Sequence, residues 1–439
     1  MNKPNVTLDD LYLKANLLVS GIDFGAPEVM SELIAARKVR PGNGLYNYNR
    51  TEKRSESNVS SERVLKVLGQ SNIQAPNEVW WNFNGARMMA EVRSNPSSRY
   101  LIEWRDGAAT LVNKDTQTGI GPIDFPVQHS FNWNRTSHGK KMGEVVHIMG
   151  ENALRIYPDM TCLMDRPGIK CRFCGVLPER GPVSDTEIQE NICESIVAAQ
   201  AEMPVDHIFM STGAFYDWKT NEFYVGVIAA IRRALRNPYA EILFALTPPP
   251  KQRLDQVSKL IDAGLTDVSF NLEAWDDTRW DLANPLNLGM FKVKRGKKDH
   301  FNGFEHVIAR LGRGAAKSNF VGGLDTVESF AQGVDRLLEW GVIPSMTVFY
   351  LTPGSDWSDN GVNPCVEHFK RDPAGFLVES YLTLAEKTLA VGMKPHWARS
   401  NRISALEVDA FAYLLGDPEP PSRVDDRRRA AQVSVVDRW

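Results

Sequence analysis

From about residue 150 onward, short apolar runs alternate with amphipathic stretches, and this constrains the fold more than any other feature of the chain. The strand candidates are residues 154–158, 207–211, 241–247, 267–271, 318–321 and 344–351. The helical stretches between and after them are 184–202, 223–236, 252–263, 300–312, 326–340 and 376–391. Ser184 and Asp185 ahead of Ile188 form a capping signal, and Gly264 and Gly341 suit helix C-caps. Six strands in series, each followed by a helix, demand parallel strands with helices outside. A doubly wound open sheet competes with a barrel, but no Gly-x-Gly-x-x-Gly follows the first strand. The expected fold is therefore α/β, a partial (β/α)6 TIM-like barrel over residues 149–395. In such barrels the site is built from the loops after the strands.

Residues 1–148 have a different texture. Trp80 and Trp81 sit in a short apolar run, and residues 100–105 and 108–112 flank Asp106-Gly107, a strong hairpin signal. A small α+β N-terminal domain is expected there, and a short helical extension and tail over 396–439. With 43% hydrophobic and 24% charged residues, the chain can bury a large core, which excludes a disordered or collagen-like protein. Fifty-one Lys and Arg against 54 Asp and Glu leave a net charge of −3, which gives no reason to expect nucleic acid or a membrane surface. No apolar run approaches the ~20 residues of a membrane span. The first residues lack the basic-then-apolar layout of a secretory signal. The expectation is a soluble, cytoplasmic protein.

Chemistry concentrates in the cysteines. Five are present, and Cys162, Cys171 and Cys174 crowd the loop after the first parallel strand, while Cys193 and Cys365 stand alone. A structural zinc site usually takes four protein ligands, and His147 and His207 lie outside this loop. A redox Cys-x-x-Cys leaves Cys162 without a role. Three thiolates suit a [4Fe–4S] cluster with one open iron, whereas an electron-transfer cluster normally takes four. Structural zinc and inert thiols stay open as alternatives.

The trio ending in Cys-x-aromatic-Cys, followed by five further βα units, resembles the radical S-adenosylmethionine (SAM) superfamily. The resemblance spans about residues 150–395. The usual spacing there is Cys-x3-Cys-x2-Cys; this chain has eight residues in the first gap. Ser211-Thr212-Gly213, after the second strand, is similar to the family turn whose backbone holds the methionine amino group. Asn271 and Glu273 occupy the fourth strand's end, where the family places groups for the ribose hydroxyls and methionine carboxylate. Period-two alternation directs residues 269, 271 and 273 to one face. Gly322 and Gly323 lie in a stretch that looks like the family's Gly-x-Ile-x-Gly-x-x-Glu segment near the adenine, with Glu328 as its structural acid. Tyr350 and Leu351 end the sixth strand, whose backbone meets the adenine edge in the family. Phe173 matches the apolar residue kept against the adenine.

The resemblance implies that Cys162, Cys171 and Cys174 bind a [4Fe–4S] cluster and that SAM chelates its open iron. One electron from a flavodoxin or ferredoxin then splits SAM, giving a 5′-deoxyadenosyl radical that acts on a small-molecule substrate. An RNA-modifying radical enzyme and a non-enzymatic iron–sulfur or zinc protein are the alternatives. Tyr216, Trp218, Trp275, Trp280 and Trp357 lie in strand-end loops, as cavity walls or as packing. Asp276, Asp277, Asp356 and Asp359 sit among them, available to amines or hydroxyls. Cys365, after the sixth strand, is either a hydrogen-atom donor in the cavity or a small buried residue.

Overall fold

The computed structural model describes residues 6–25, 78–83, 87–126, 128–158, 162, 171–174, 183–214, 218–283, 297–350, 355–393 and 404–416, with residues 29, 32, 33 and 36. One sheet holds seven strands in the order β12-β11-β10-β9-β8-β7-β6. Strands β7 (Ala153–Ile156), β8 (His207–Ser211), β9 (Glu241–Ala245), β10 (Asp267–Ser269), β11 (Ala316–Gly322) and β12 (Ile343–Val348) are parallel to one another. These are the six expected strands. The curled sheet is a half-barrel. At its edge, β6 (Val146–Met149) pairs antiparallel with β7, a seventh strand that the βα rhythm did not announce.

Each strand's two faces have different chemistry. In β8, Ile208 and Met210 are buried while His207, Phe209 and Ser211 are half-buried, so period two is kept. Outward residues such as Leu154, Ile208, Ile242, Phe244, Val268 and Phe320 join one core with the surrounding helices. Those helices are α2 (Asp185–Glu202), α3 (Trp218–Ala234), α4 (Asp255–Asp262), α5 (Lys298–Leu311), α6 (Val327–Trp340) and α7 (Pro373–Ala390). The Ser184 hydroxyl accepts from Glu187 N at the start of α2, and the Thr326 hydroxyl accepts from Ser329 N at the start of α6. Caps of this kind contribute about 1 kcal/mol each. The inward face is polar low in the barrel. His207 pairs with Glu241 at 3.1 Å and Lys317 with Asp267 at 2.7 Å, each across neighbouring strands.

Ahead of the barrel lie α1 (Leu8–Ser20) and an antiparallel sheet in the order β2-β1-β5-β4-β3. Its strands are β1 (Glu78–Trp81), β2 (Met88–Glu91), β3 (Tyr100–Arg105), β4 (Ala108–Asn113) and β5 (Thr118–Asp124). The β3–β4 hairpin turns on Asp106 and Gly107, with φ of 51° and 79°, the doubly left-handed turn that suits the strands' twist. Val79, Trp81, Met88 and Ala90 face α1 and the main core. The opposite face sends Trp80 and Met89 against Met149, Ala153 and Phe209, so this sheet lies against the half-barrel's inner side at β6–β8.

The other edge of the half-barrel is sealed differently. β12 is an edge strand with an unpaired polar rim, a liability that needs covering. Met346 N donates to a Glu407 carboxyl oxygen at 3.2 Å, and the Tyr381 hydroxyl donates to Met346 O. Glu407 begins α8 (Glu407–Leu415), which also carries Asp409. Asp409 pairs with Lys14 of α1, both fully buried. Helices from the two ends of the chain thus meet beside β12. Among the described residues, no helix is long and apolar enough to cross a membrane.

Candidate functional site

The cysteine loop lies between β7 and α2, and the Cys162 thiol and the Cys171–Cys174 backbone are held by residues past the ends of other strands. Ala214, just past β8, donates its backbone N–H to Cys162 Sγ at 3.4 Å. Cys174 N donates to Cys171 O at 3.0 Å, closing a tight turn. That turn is fixed on both sides: Arg172 N donates to Ala283 O at 3.1 Å, and Trp357 N donates to Arg172 O at 3.2 Å. Ala283 follows β10 and Trp357 follows β12, so all these anchors lie past the strands' C-terminal ends. The Phe173 ring packs on Trp357, centroids 6.4 Å apart, and is partly buried there.

All three cysteines are half-buried. Among the described residues, no three Cys, His, Asp or Glu side chains gather closely enough to hold a single metal ion. A cluster distributes its thiolates over separate irons, so its ligands stand farther apart than those of one ion. Three thiols on one loop are, in number and chemistry, what a cluster with one open iron takes. Cys193 serves packing instead: its Sγ donates to Ala230 O at 3.3 Å, between α2 and α3, and burial pushes its thiol up.

Strand ends supply the polar groups. Ser211 closes β8, and the Thr212 and Tyr224 hydroxyls share a hydrogen bond. Asn271 Oδ1 accepts from Ser269 Oγ at 2.7 Å and from Asn319 N at 3.4 Å. The Asn319 side chain continues the chain of contacts, donating to Thr347 Oγ1 at 3.0 Å and accepting from Ser345 Oγ at 3.1 Å. A polar layer therefore runs across β10, β11 and β12. The expected alternation carries as far as Asn271 and stops at Glu273, whose φ is +70°. A left-handed glutamate costs roughly 1–3 kcal/mol and persists only where its surroundings over-determine it. Here Glu273 N donates to Asn319 O at 2.9 Å and Val321 N donates to Glu273 O at 2.8 Å. Glu273 itself is buried.

Gly322 ends β11, and a Cβ there would stand 3.0 Å from Met346 Sδ. Gly323 has φ of +101°, and a Cβ would meet the Phe369 ring at 2.8 Å. The close approaches these glycines permit in this structure are thus to Met346 and Phe369. Tyr350 donates its hydroxyl to Leu18 O at 2.9 Å, and the Arg93 guanidinium lies 3.0 Å from its ring centroid. The N-terminal region so reaches the end of β12. Leu351 and Tyr216 lie outside the described residues, as do the side chains of Trp218 and Asp359. Cys365 is 2% exposed within the main core, and burial pushes its thiol up to about 12. Trp280 and Trp357 are also buried, so these loop aromatics pack the core.

Sequence reasoning singled out Glu328 as the acid of the glycine segment. It lies in the exposed first turn of α6, where hydrogen bonds from its own backbone and the Thr326 hydroxyl hold its carboxyl low. The buried acid of that segment is Asp325, which accepts from Trp275 N at 2.5 Å and from Asp276 N at 3.0 Å. Desolvation pushes the Asp325 carboxyl up, against the pull of those two N–H groups. Its one signal in the sequence was an acid between Gly323 and a helix N-cap. A cavity of about 130 Å³ lies away from the cysteines, between the N-terminal sheet and β6, lined by Glu78, Trp80, Gln128, His129 and Glu151 among others.

The arrangement is that of a half-barrel protein with a thiol-bearing loop past its strand ends. No known family profile matches the chain. The bacteriochlorophyllide c C-7(1)-hydroxylase of Chlorobaculum limnaeum is 20% identical over 293 residues, which cover 62% of this chain and 70% of that enzyme. Among solved structures, methylornithine synthase matches 60% of this chain and 71% of its own, at 11% identity and a TM-score of 0.41. Coproporphyrinogen III oxidase from Escherichia coli, a radical SAM enzyme, matches 53% of each chain at 16% identity and a TM-score of 0.36. The cobalamin-dependent S-adenosylmethionine radical enzyme OxsB matches 75% of this chain and 58% of its own, at 12% identity and a TM-score of 0.33. Radical SAM enzymes are thus among the proteins this chain is similar to.

Proposed function

We propose that this chain is a radical SAM enzyme acting on a small-molecule substrate. The observation that carries the reading is the docking of the cysteine loop: Cys162 lies under the Ala214 N–H past β8, and the Cys171–Cys174 turn is held by residues past β10 and β12. Cys162, Cys171 and Cys174 would hold a [4Fe–4S] cluster. When bound, such a cluster with an open iron supplies the electron that cleaves SAM to methionine and a 5′-deoxyadenosyl radical, the reductant being a flavodoxin or ferredoxin.

The chain's own residues do the positioning. The Ala214 N–H would fix the Cys162 sulfur past the end of β8. Ser211, Thr212 and Gly213 would present backbone to the methionine amine. Asn271 and Glu273 would bind the ribose hydroxyls and methionine carboxylate. Phe173, Gly322, Gly323, Tyr350 and Leu351 would surround the adenine. The N-terminal sheet against β6–β8 restricts the open side of the half-barrel, which helps to keep water from a reactive intermediate. The hydroxylase relative makes hydroxylation the first outcome to assay.

Anaerobic reconstitution tests the assignment. Cys162→Ala, Cys171→Ala and Cys174→Ala should each lose the cluster, and Cys193→Ala should keep it. Tightly held zinc in aerobically purified protein, with no iron uptake, would contradict the reading.

A further inference from the structure

We infer that Asp325 is a positioning residue for SAM binding, acting through Glu273; the inference rests on the radical SAM reading above. Glu273 stands in a left-handed backbone conformation that a glutamate does not choose. Something must hold it there, and the structure supplies holds on both sides. Upstream and at Glu273 itself, the backbone is tied to β11 through Asn319 O and Val321 N. Downstream, the chain is free to relax unless residues 274–276 are fixed. Asp325 fixes them. One carboxylate oxygen takes the Trp275 N–H at 2.5 Å and the other takes the Asp276 N–H at 3.0 Å, while Ser329 Oγ reaches the second oxygen at 3.5 Å.

The placement of Asp325 makes this clamp stiff. It lies between the end of β11 and the Thr326 N-cap of α6, and the chain there is bound by Val366 N donating to Gly323 O at 2.9 Å. The Phe369 ring packs closely against Gly323 in that turn. A second hold comes from Lys297, which bonds Trp275 O and pairs with Asp277 at 2.6 Å. The loop after β10 is thereby tied to the loop after β11, and the glutamate between them loses its freedom to swing. A carboxylate aimed in advance binds hydroxyls without first being ordered, so its interaction is realised in full.

Asp325→Asn keeps size and shape but turns an amide N–H2 toward one of the two backbone donors. On reconstituted protein, SAM binding measured by equilibrium dialysis should weaken about tenfold, with iron content equal to the parent. A merely structural role would lower the melting temperature without this change, measured well below the transition. The double variant Glu273→Ala/Asp325→Asn decides the route. If Asp325 acts through Glu273, the double variant binds SAM no more weakly than Glu273→Ala alone. A variant-independent check uses the intact parent: SAM should slow amide exchange at Trp275 and Asp276. Asp325→Asn binding SAM like the parent, an equal further loss in the Glu273→Ala background, or unchanged exchange at both amides would overturn the inference. A cluster-loaded parent that binds no SAM would instead overturn the radical SAM reading on which it depends.

Discussion

Glu273 and Cys365 are the two residues whose environments say most about their chemistry. Glu273 is buried and left-handed at the point where the sheet's alternation ends. Replacing it by Gly relieves the backbone and removes the carboxylate, so stability and binding should move in opposite directions. Glu273→Gly is expected to melt no lower than Glu273→Ala, by differential scanning calorimetry, while both bind SAM roughly 1–3 kcal/mol more weakly than the parent. A Glu273→Gly protein with parental SAM affinity would remove Glu273 from the site. Cys365 has a thiol held near 12 by burial, with an N–H···O contact from its own backbone to Asn363. At pH 8 it stays protonated and inaccessible. Iodoacetamide should therefore leave it unmodified in the native protein and label it once denaturant is added; rapid native labelling would contradict its burial.

At the scale of elements, the sheet edge at β12 links structure to pH. Glu407 is fully buried, and desolvation raises its carboxyl to about 8 despite the Met346 N–H and the charges of Lys317 and Lys14. Among the described residues its second oxygen has no hydrogen-bond partner, which favours the neutral acid. Around it stand Tyr381, Lys14, Asp409 and Lys317. A raised folded value means that the native state keeps a proton the unfolded chain has released. The stabilisation is complete below the ordinary carboxylate range and is lost as pH rises through about 8. Within that window the slope is at most about 1.4 kcal/mol per pH unit. The melting temperature should fall between pH 6 and 8.5, roughly, and Glu407→Gln should flatten that fall. An identical slope in both proteins would mean that Glu407 does not titrate there.

The βα rhythm placed all six parallel strands and their helices because apolar period and capping are local; β8 and the start of α2 came out at the expected residues. β10 ends at Ser269, two residues short of expectation, where Asn319 N donates to the Asn271 side chain, and the left turn at Glu273 is held by β11, contacts remote in sequence. Nothing local marked β6 as a barrel strand, because its partner defines it. The polar layer of Asn271, Asn319, Ser345 and Thr347 was legible only at Asn271, for the other three appear as ordinary strand polars until register brings them together.

At the scale of the molecule, the ends of the chain close the half-barrel that its middle builds. Lys14 and Asp409 are fully buried and 395 residues apart in sequence. Removing one partner of a buried pair leaves the other charge stranded, so Lys14→Met alone should cost about 3–5 kcal/mol, by urea unfolding. Lys14→Met with Asp409→Leu should recover most of that loss, since well-packed apolar residues often replace a buried pair without penalty. Full recovery of neither stability nor cooperativity would show that the pair specifies how α1 and α8 dock. The cysteine loop is where the proposed chemistry would sit. Its most direct test is one preparation, anaerobically reconstituted, assayed for iron and for SAM cleavage under strong reductant. A radical SAM enzyme should show about four irons per chain and release 5′-deoxyadenosine with methionine. A fully loaded cluster that never cleaves SAM would contradict it.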